Sequence, residues 1–290
     1  MATKKKLLIG FVGQGFVGGS YADDFEKRGY SVVRYSLEPK YIGNKEAIGA
    51  CDIVFVCVPT PTTPKGFDSS IVESALKLVA NGKIAVIKST MLPGMTKKMQ
   101  KKFPRLTILF SPEFLNASTA KQDAANPFSN IVGMPLSDAK HKKAAELIHS
   151  MLPNAAFAHT ATSEEAEVYK YAHNVSGFTQ ILTYNIMYDL ARHLGADWNS
   201  IQKALEADPM VSNWYIKPVH KSGRGAGGAC FIKDFAAFAK LYRDTVGKKE
   251  GIEFLKAAEK KNIMLLVGTG KDLDLLEGVY GKAILGKGKK

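Results

Sequence analysis

The chain has 290 residues, of which 46% are hydrophobic and 23% charged, so it has the composition of a globular protein with room for two domains. No apolar run approaches the roughly 20 residues that span a bilayer, and we expect no membrane partner. Most lysines behind the net charge of +13 are scattered over predicted helices, without the aromatic interleaving typical of nucleic-acid-binding proteins. We therefore expect no nucleic-acid partner and a positive field that attracts an anionic small molecule, such as a phosphorylated sugar.

The N-terminus and the cysteines bear on location. The basic segment from Met1 to Lys6 precedes an apolar run that contains glycines, which is not typical of a secretion signal. Cys51, Cys57 and Cys230 have neither metal-ligand spacing nor an even-numbered disulfide framework. We therefore expect a cytoplasmic protein without a metal site. Cys51 and Cys57 lie in an apolar region and are expected to be packing residues.

The first predicted strand, Lys5 to Val12, leads into a Gly-x-Gly-x-x-Gly motif and then into helical spacing from Ser20 to Arg28. A strand, this motif and a helix in succession are typical of a dinucleotide-binding turn, because the glycines allow a tight turn and the helix N-terminus binds a pyrophosphate. We predict that the residues of the turn contact the cofactor: Gly13, Gln14, Gly15, Phe16, Val17 and Gly18.

The second predicted strand, Ser31 to Ser36, lacks the acidic residue that usually accepts hydrogen bonds from the adenosine ribose. Ser36 stands at that position, and Glu38 could supply the acceptor instead. Loss of the carboxylate removes repulsion against a 2′-phosphate. The sequence therefore leaves NAD and NADP both open as cofactor, with NAD preferred.

Strands and helices alternate as far as about residue 160. This pattern predicts an α/β fold whose N-terminal part is a Rossmann-like, doubly wound parallel sheet, with the loops after the strands lining one crevice. Pro59 and Thr60 are candidates for contact with the nicotinamide side of that crevice, and Thr90 and Glu113 are expected to project into it.

Ser163 to Leu194 forms a helical run that is too long for a routine crossover helix. We predict a Rossmann domain over residues 1–160 and an all-helical domain over residues 161–290 that is built on this helix. Its apolar stripe predicts a homodimer through residues 163–194. Glu167, Lys170 and Asn174 fall on one helix face, which is explained equally well by a surface ion pair of the first two or by a stripe that lines a site.

The segment from Ser222 to Asp234 places Cys230 after a glycine run and before a predicted helix over 231–246. Missing side chains would let a substrate approach the backbone, and a helix N-terminus beside Lys233 would stabilise a thiolate. These features predict a nucleophilic cysteine. A core thiol beneath a glycine-rich loop is the alternative.

Six motifs in this order resemble the UDP-glucose/GDP-mannose dehydrogenase family, whose members are nucleotide-sugar 6-dehydrogenases. They are Gly13-x-Gly15-x-x-Gly18, Val58-Pro59-Thr60-Pro61-Thr62, Lys88-Ser89-Thr90, Ser111-Pro112-Glu113-Phe114-Leu115, Glu167-x-x-Lys170-x-x-x-Asn174 and Gly225-x-Gly227-Gly228-Ala229-Cys230-Phe231-x-Lys233-Asp234. The family ordinarily carries a third, C-terminal nucleotide-binding domain. The resemblance is therefore to a short form that lacks this domain.

The resemblance implies NAD(P)-dependent oxidation of the primary alcohol of a nucleotide sugar, such as UDP-glucose, to the uronate for polysaccharide biosynthesis. Two hydride transfers would proceed through a thiohemiacetal and a thioester on Cys230. Lys170 and Asn174 would stabilise the oxyanion, Asp234 and Thr90 would orient a water, and Glu113 would be the base for hydrolysis. Substrate contacts are implied for Phe114, Leu115, Lys170, Asn174, Lys221, Gly227 and Lys233.

Two other functions stay open. The beta-hydroxyacid dehydrogenase family is similar in length and plan, and there Lys170 would serve as acid or base for one hydride transfer without a cysteine. A non-catalytic protein that keeps the dinucleotide fold is the second. The sequence reveals neither the sugar nor whether the 290 residues are the whole protein.

Overall fold

The structure is a computed structural model that describes residues 7–287. The predicted first strand began at Lys5, so its first two residues lie outside the described residues, as does the basic segment from Met1 to Lys6. The chain divides into two compact units. Unit 1 contains the described residues up to Thr60 together with Asp68–Lys170, and unit 2 contains Pro61–Phe67 and the described residues from Tyr171 onward.

The strands in chain order are β1 (Leu8–Val12), β2 (Ser31–Tyr35), β3 (Ile53–Val56), β4 (Thr62–Thr63), β5 (Gly66–Phe67), β6 (Ile84–Ile87), β7 (Thr107–Phe110), β8 (Ser129–Met134), β9 (Phe157–Thr162), β10 (Val219–His220) and β11 (Gly223–Arg224). The helices are α1 (Phe16–Lys27), α2 (Lys45–Ile48), α3 (Ser70–Leu76), α4 (Met95–Lys102), α5 (Ala120–Ala125), α6 (Ala139–Met151), α7 (Ser163–His193), α8 (Trp198–Ala207), α9 (Gly228–Thr245), α10 (Lys249–Thr269), α11 (Leu273–Tyr280) and α12 (Ile284–Lys287). In the part of the chain that the structure describes, no helix is long and apolar enough to span a membrane.

Unit 1 is a sheet covered by helices. Seven strands between residues 7 and 287 form it, in the order β2-β1-β3-β6-β7-β8-β9. Neighbours run parallel except β7 and β8, which are antiparallel. The predicted α/β, Rossmann-like fold is therefore confirmed, with the last two strands, β8 and β9, reversed relative to the other five. The six-residue α5 connects the antiparallel pair, whereas the 13-residue α6 connects the parallel β8 and β9 as a crossover helix does.

The core of unit 1 lies on the central strands, which are buried almost throughout. The rings of Phe11 and Phe55 stack with centroids 4.9 Å apart, and Phe25 from α1 meets Phe11 edge-on at 5.4 Å. Cys51 is fully buried and Cys57 packs against this core, as predicted. Burial raises the pKa of Cys51 to about 11 and that of Cys57 to about 12, so both are unreactive thiols.

Unit 2 is built around the larger part of the 31-residue α7, whose residues Lys170 and Tyr171 mark the boundary between the units. Its core contains the stacked rings of Phe178 and Phe235, with centroids 3.7 Å apart. The predicted helical C-terminal region is confirmed. Unit 2 also contains two short antiparallel ladders, β4–β5 and β10–β11, and Gly66 and Lys221 have positive φ angles beside their turns.

Two helix boundaries differ from the sequence prediction. The first helix begins at Phe16 rather than Ser20, directly after the glycine turn. The helix predicted from Phe231 begins at Gly228, so Cys230 lies within its first turn. The next helix, α10, ends at Thr269, where Gly270 with φ 69° terminates it.

We predict that Phe235→Ala lowers the free energy of unfolding by about 3–5 kcal/mol, because it removes a stacked ring from the core and leaves a cavity. Urea denaturation followed by circular dichroism measures the change. The matched control is Phe254→Ala on α10, whose ring is 61% exposed and whose loss is expected to cost at most about 0.5 kcal/mol. Equal losses in the two variants would contradict the assignment of this core.

Candidate active site

Close backbone packing in unit 1 requires the glycine turn between β1 and α1. Gly13 has φ 94°, and a Cβ there would overlap the backbone carbonyl of Cys57. A Cβ at Gly18 would overlap the carbonyl oxygen of Gly13. The Gly13 N–H donates to the carbonyl of Tyr35 at 2.8 Å, which ties the turn to β2. These two glycines therefore join the ends of three parallel strands.

The N-terminus of α1 fits a pyrophosphate. Gly15 precedes the helix without any side-chain cap, and a Cβ on it would meet no atom within 4 Å. A cavity of about 780 Å³ lies beside it and is lined by Gln14 and Phe16 among others. Within the described residues, the buried Oε1 of Gln14 has no hydrogen-bond partner and can accept from a bound ligand. Backbone N–H groups at a helix start bind phosphate oxygens, so these residues would hold the cofactor diphosphate. Val17 follows in the first turn and packs on the core.

Charged side chains of both signs line this cavity. The Arg34 guanidinium donates to both carboxylate oxygens of Glu26, at 2.9 and 2.6 Å, and lies 2.8 Å from Asp23. It is thereby neutralised by two carboxylates that also line the cavity. Ser36 accepts a hydrogen bond from the Glu38 N–H at 3.3 Å, so the loop after β2 turns back on itself here.

A serine joins the loops that follow β3 and β6. The Ser89 hydroxyl accepts from the Val58 N–H at 2.9 Å and donates to the Val58 carbonyl at 2.7 Å. Thr60 and Thr90 are buried in these loops, whereas Pro59 is exposed. The predicted nicotinamide-side residues therefore belong to two loops that are locked together.

Glu113 and Lys170 lie together in unit 1. The Lys170 ammonium donates to the carbonyl oxygen of Glu113 at 2.5 Å and to its Oε1 at 3.4 Å. It also lies 4.9 Å from the centroid of the Phe114 ring, a cation–π contact. The other carboxylate oxygen of Glu113 accepts from the Leu115 N–H at 2.8 Å. Only 3% of Lys170 is exposed, so these contacts hold a buried ammonium in one position.

Glu167 has a different role from either sequence interpretation. It is fully buried, and its two oxygens accept from the backbone N–H groups of Gly94 at 2.6 Å and Thr96 at 2.8 Å. It therefore caps the start of α4 instead of pairing with Lys170 on the surface. Burial raises the pKa of Glu167 to about 7, against the opposing effect of these hydrogen bonds.

The sequence analysis assigned no role to Lys88, although this residue begins the family motif Lys88-Ser89-Thr90. Its ammonium donates to the carbonyl and the hydroxyl of Ser111, both at 3.3 Å, and lies 4.2 Å from the centroid of the Tyr21 ring. Burial lowers the pKa of Lys88 to about 8, which the neighbouring Cys57 and Glu113 partly oppose. The sequence did contain a signal for this role, which is a lysine directly after the apolar strand β6.

Unit 2 contains the second set of predicted residues. The Asn174 amide donates to Oδ2 of Asp234 at 2.6 Å, and the Lys233 ammonium lies 2.5 Å from Oδ1. Asp234 is 1% exposed. Cys230 stands four residues earlier on α9 and so shares a helix face with Asp234. Burial raises the pKa of Tyr215, and so does the nearby charge of a Cys230 thiolate.

The glycines before Cys230 leave open space at one position. Among Gly223, Gly225, Gly227 and Gly228, a Cβ would meet no atom within 4 Å only at Gly228. At the other three it would meet side chains of α10 or of the turn after it. Lys221 is exposed in the turn that joins β10 to β11.

The predicted residues thus form two sets, each described within its own unit: Glu113, Phe114, Leu115 and Lys170 in unit 1, and Asn174, Cys230, Lys233 and Asp234 in unit 2. Lys170 and Asn174 both belong to α7 and lie on adjacent turns of this helix. Between residues 7 and 287, no group of three His, Cys, Asp or Glu side chains could hold a metal ion.

Two features are typical of a dinucleotide-binding dehydrogenase. One is the glycine turn that follows the first strand of a Rossmann-like sheet, and the other is the helical unit with its Asn–Asp–Lys set. More specifically, the chain belongs to the UDP-glucose/GDP-mannose dehydrogenase family, as its motifs predicted. Residues 41–152 match the NAD binding domain of this family and residues 164–263 match its central domain. The family match gives NAD as the cofactor.

Relatives of known name support this assignment. A UDP-glucose 6-dehydrogenase of Streptococcus pneumoniae is 30% identical over 72% of this chain and 53% of its own length. The chain spans about half the length of the curated relatives it matches. A UDP-glucose dehydrogenase from Pyrobaculum islandicum is similar with a TM-score of 0.76 and 23% identity, over 96% of this chain and 72% of that one.

A 3-hydroxyisobutyrate dehydrogenase from Mycobacterium tuberculosis is also similar in structure. Its TM-score is 0.70 and its identity 15%, over 98% of this chain and 99% of that one. Likenesses at such identities establish the fold alone. The beta-hydroxyacid dehydrogenase alternative is therefore compatible with the same fold. Only the side chains of the site distinguish the two chemistries.

We predict that Glu167→Gln flattens the dependence of unfolding free energy on pH. With a folded pKa of about 7 and an ordinary value of 4.5, Glu167 contributes full stability below pH 4.5 and loses it as the pH rises through 7. The loss amounts to at most about 3 kcal/mol. Urea titrations at pH 5 and pH 8 measure it. Glu253→Gln, at a side chain 65% exposed, is the control, and parallel profiles for wild type and Glu167→Gln would contradict the prediction.

Proposed function

We propose that this protein is an NAD-dependent nucleotide-sugar dehydrogenase that oxidises the primary alcohol of a UDP-glucose-like substrate to the carboxylate. The observation that carries the proposal is the buried Asn174–Asp234–Lys233 set, with Cys230 one helical turn away on the same face of α9. A dehydrogenase that transfers a single hydride has no use for this thiol. The relatives named UDP-glucose 6-dehydrogenase point to the same chemistry.

The proposed reaction consumes one alcohol, one water and two NAD⁺, and it yields one carboxylate, two NADH and three protons. Bound NAD supplies the acceptor for each hydride. The protein has to retain the aldehyde between the two oxidations, and a covalent bond to the enzyme does so. Splitting the oxidation in this way also allows two acceptor molecules to be used in turn.

Cys230 forms that bond. Its sulfur adds to the aldehyde carbon to give a thiohemiacetal, and loss of the second hydride from that carbon leaves a thioester. Water then adds to the thioester carbonyl, the carbon–sulfur bond breaks, and the carboxylate leaves with the thiol restored. The first turn of a helix favours an attacking thiolate, because the N-terminus carries partial positive charge.

Lys170 and Asn174 are proposed as the donors to the oxyanion. The ammonium has three N–H donors, of which two contact Glu113, and the Asn174 amide has two, of which one contacts Asp234. Each therefore keeps one donor for a ligand while its position is held by the others. Fixed donors of this kind stabilise developing negative charge without reorganisation.

Glu113 is proposed to accept a proton, and Asp234 is proposed to orient a water molecule. Glu113 takes a proton from the water that attacks the thioester, as a general base. Asp234, together with Thr90, orients a water in the alcohol oxidation, while its two oxygens also hold Asn174 and Lys233 in place. Lys233, Lys221, Phe114, Leu115 and Gly227 are proposed substrate contacts.

The two parts of the chain are proposed to have different roles. We assign cofactor binding to the N-terminal part, predicted as residues 1–160, and the cysteine chemistry to the helical part, predicted as residues 161–290. The helical part would also carry the dimer contact. The excess of positive charge, +13 for the chain, favours attraction of an anionic sugar nucleotide.

We predict that wild-type protein reduces two NAD⁺ per UDP-glucose-like substrate and that Cys230→Ala produces no carboxylate. Cys230→Ser should turn over slowly and accumulate an ester adduct, because an alkoxide is a poorer leaving group than a thiolate. NADH absorbance and intact-protein mass spectrometry, over a panel of UDP- and GDP-sugars, measure both.

Cys51→Ser is the matched control, since this buried thiol should not affect the stoichiometry. One NADH per substrate with an active Cys230→Ala variant would favour the single-oxidation plan. NAD binding without turnover of any sugar nucleotide would favour a binding protein.

We also predict a homodimer through the exposed apolar stripe near the C-terminal end of α7. Ile186, Leu190 and Leu194 recur at four-residue spacing and are 52%, 53% and 69% exposed. Light scattering on a sizing column should give twice the chain mass for wild type and the single mass for Leu190→Arg. Leu136→Arg, at a leucine 44% exposed in unit 1, should stay dimeric. A monomeric wild type would refute the interface.

A further inference from the structure

The loop that leads to Cys230 is bound along its length by the end of α10. This cysteine loop comprises residues 222–230. Five of its backbone groups contact four side chains from a stretch of 11 residues, and these side chains form what we call the loop clamp: Asn262, Thr269, Lys271 and Asp272. All of these residues belong to unit 2.

The individual contacts are well formed. The Asn262 side chain accepts from the Ala226 N–H at 2.7 Å and donates to the Ala226 carbonyl at 3.0 Å. Thr269 accepts from the Arg224 N–H at 3.1 Å. Asn262 is 3% exposed, so its paired hydrogen bonds are shielded from competing water.

Two consecutive residues after α10 complete the clamp. The Lys271 ammonium, 6% exposed, donates to the carbonyl of Gly225 at 2.9 Å. The Asp272 carboxylate accepts from the N–H of Gly228 at 2.7 Å. Gly270 has φ 69° and the Lys271 N–H donates to the carbonyl of Leu266, a helix-ending turn that aims both side chains at the loop.

Asp272 supplies the cap that α9 otherwise lacks. Gly227 precedes the helix and has no side chain, and Asp272 lies 44 residues away in sequence. It keeps a left-handed backbone, with φ 52°, which is uncommon outside glycine. Asp272 directly precedes α11, and from this backbone its carboxylate reaches the N–H of Gly228.

The same contacts explain three of the loop glycines. A Cβ on Gly223 would overlap Thr269, and one on Gly227 would overlap the Asp272 carboxylate. A Cβ on Gly225 would lie 3.0 Å from Asn262 Oδ1. Gly227 itself has φ −99°, which any residue adopts, so it is the side chains of Asp272 and Lys271 that make glycine necessary there.

We propose that the loop clamp sets the conformation of the cysteine loop and that Asp272 is a positioning residue for Cys230. Three of the four clamp residues lie beyond residue 263, where the match to the family's central domain ends. By fixing the N–H of Gly228, Asp272 fixes the first turn of α9 and with it the backbone that carries the thiol.

Hydrogen exchange of the amides between residues 224 and 230 tests the clamp directly. Asp272→Ala should accelerate their exchange by about tenfold or more, because the Gly228 N–H loses its acceptor. Asp272→Asn keeps an acceptor oxygen and should stay within about threefold of wild type. Asp274→Ala, an exposed side chain two residues later, is the control. Wild-type exchange in Asp272→Ala would overturn the proposal.

A second pair of variants tests the same contact from the other side. Gly227→Ala should open the loop, because its methyl group displaces the Asp272 carboxylate. Adding Asp272→Gly removes the nearer obstacle, leaves only the flexible end of Lys271 to shift, and tolerates the left-handed backbone, so the double variant should recover thermal stability relative to Gly227→Ala. If the double variant is no more stable than Gly227→Ala, the carboxylate is not the obstacle and the proposal fails.

The catalytic consequence rests on the proposed function. Asp272→Ala should lower kcat for the sugar nucleotide by about tenfold or more while leaving the KM for NAD unchanged, and Asp272→Asn should restore most of it. A wild type without dehydrogenase activity whose loop nevertheless opens in Asp272→Ala would refute the function and retain the clamp. Full activity of Asp272→Ala with an opened loop would refute the positioning role.

Discussion

The pairing of a buried carboxylate with two donors is the interaction on which the helical unit depends. Asp234 is 1% exposed, and an ionised carboxylate at that depth is tolerable only if its oxygens are hydrogen-bonded. The Asn174 amide and the Lys233 ammonium meet this requirement, one at each oxygen. Because Asn174 is on α7 and Asp234 on α9, the pairing also fixes the register of these two helices. Cys230, on the same face of α9, inherits its position from that register.

Unit 1 also buries charged groups that need partners, but here the positive groups outnumber the carboxylates. Lys88 and Lys170 are both buried around the single carboxylate of Glu113. Lys170 has direct contact with Glu113, whereas Lys88 binds the neutral oxygens of Ser111. The lowered pKa of Lys88, about 8, follows from this difference, because burial without a contacting carboxylate favours the neutral amine. Lys170, which contacts this carboxylate directly, is held in position for the role proposed for it.

Features that depend on local sequence were predictable, and features that depend on distant contacts were not. The turn at Gly13 and Gly18, the buried strands and the long α7 follow from spacing that a single segment displays. The role of Glu167 does not, because the N–H groups it accepts from lie more than 70 residues earlier, at the start of α4. Its helical spacing with Lys170 suggested a partner that the fold does not use.

The glycine run before Cys230 shows why one motif can have two causes. Glycine is required wherever a Cβ would collide, whether with a ligand or with the protein itself, and the sequence does not distinguish the two. In this loop three glycines face α10 and the turn after it, and only Gly228 faces open space. The open position therefore lies two residues before the thiol. Since the opposite side of the loop is held by hydrogen bonds, a ligand that binds at Gly228 need not order the loop first, and less of its binding free energy is lost to conformational entropy.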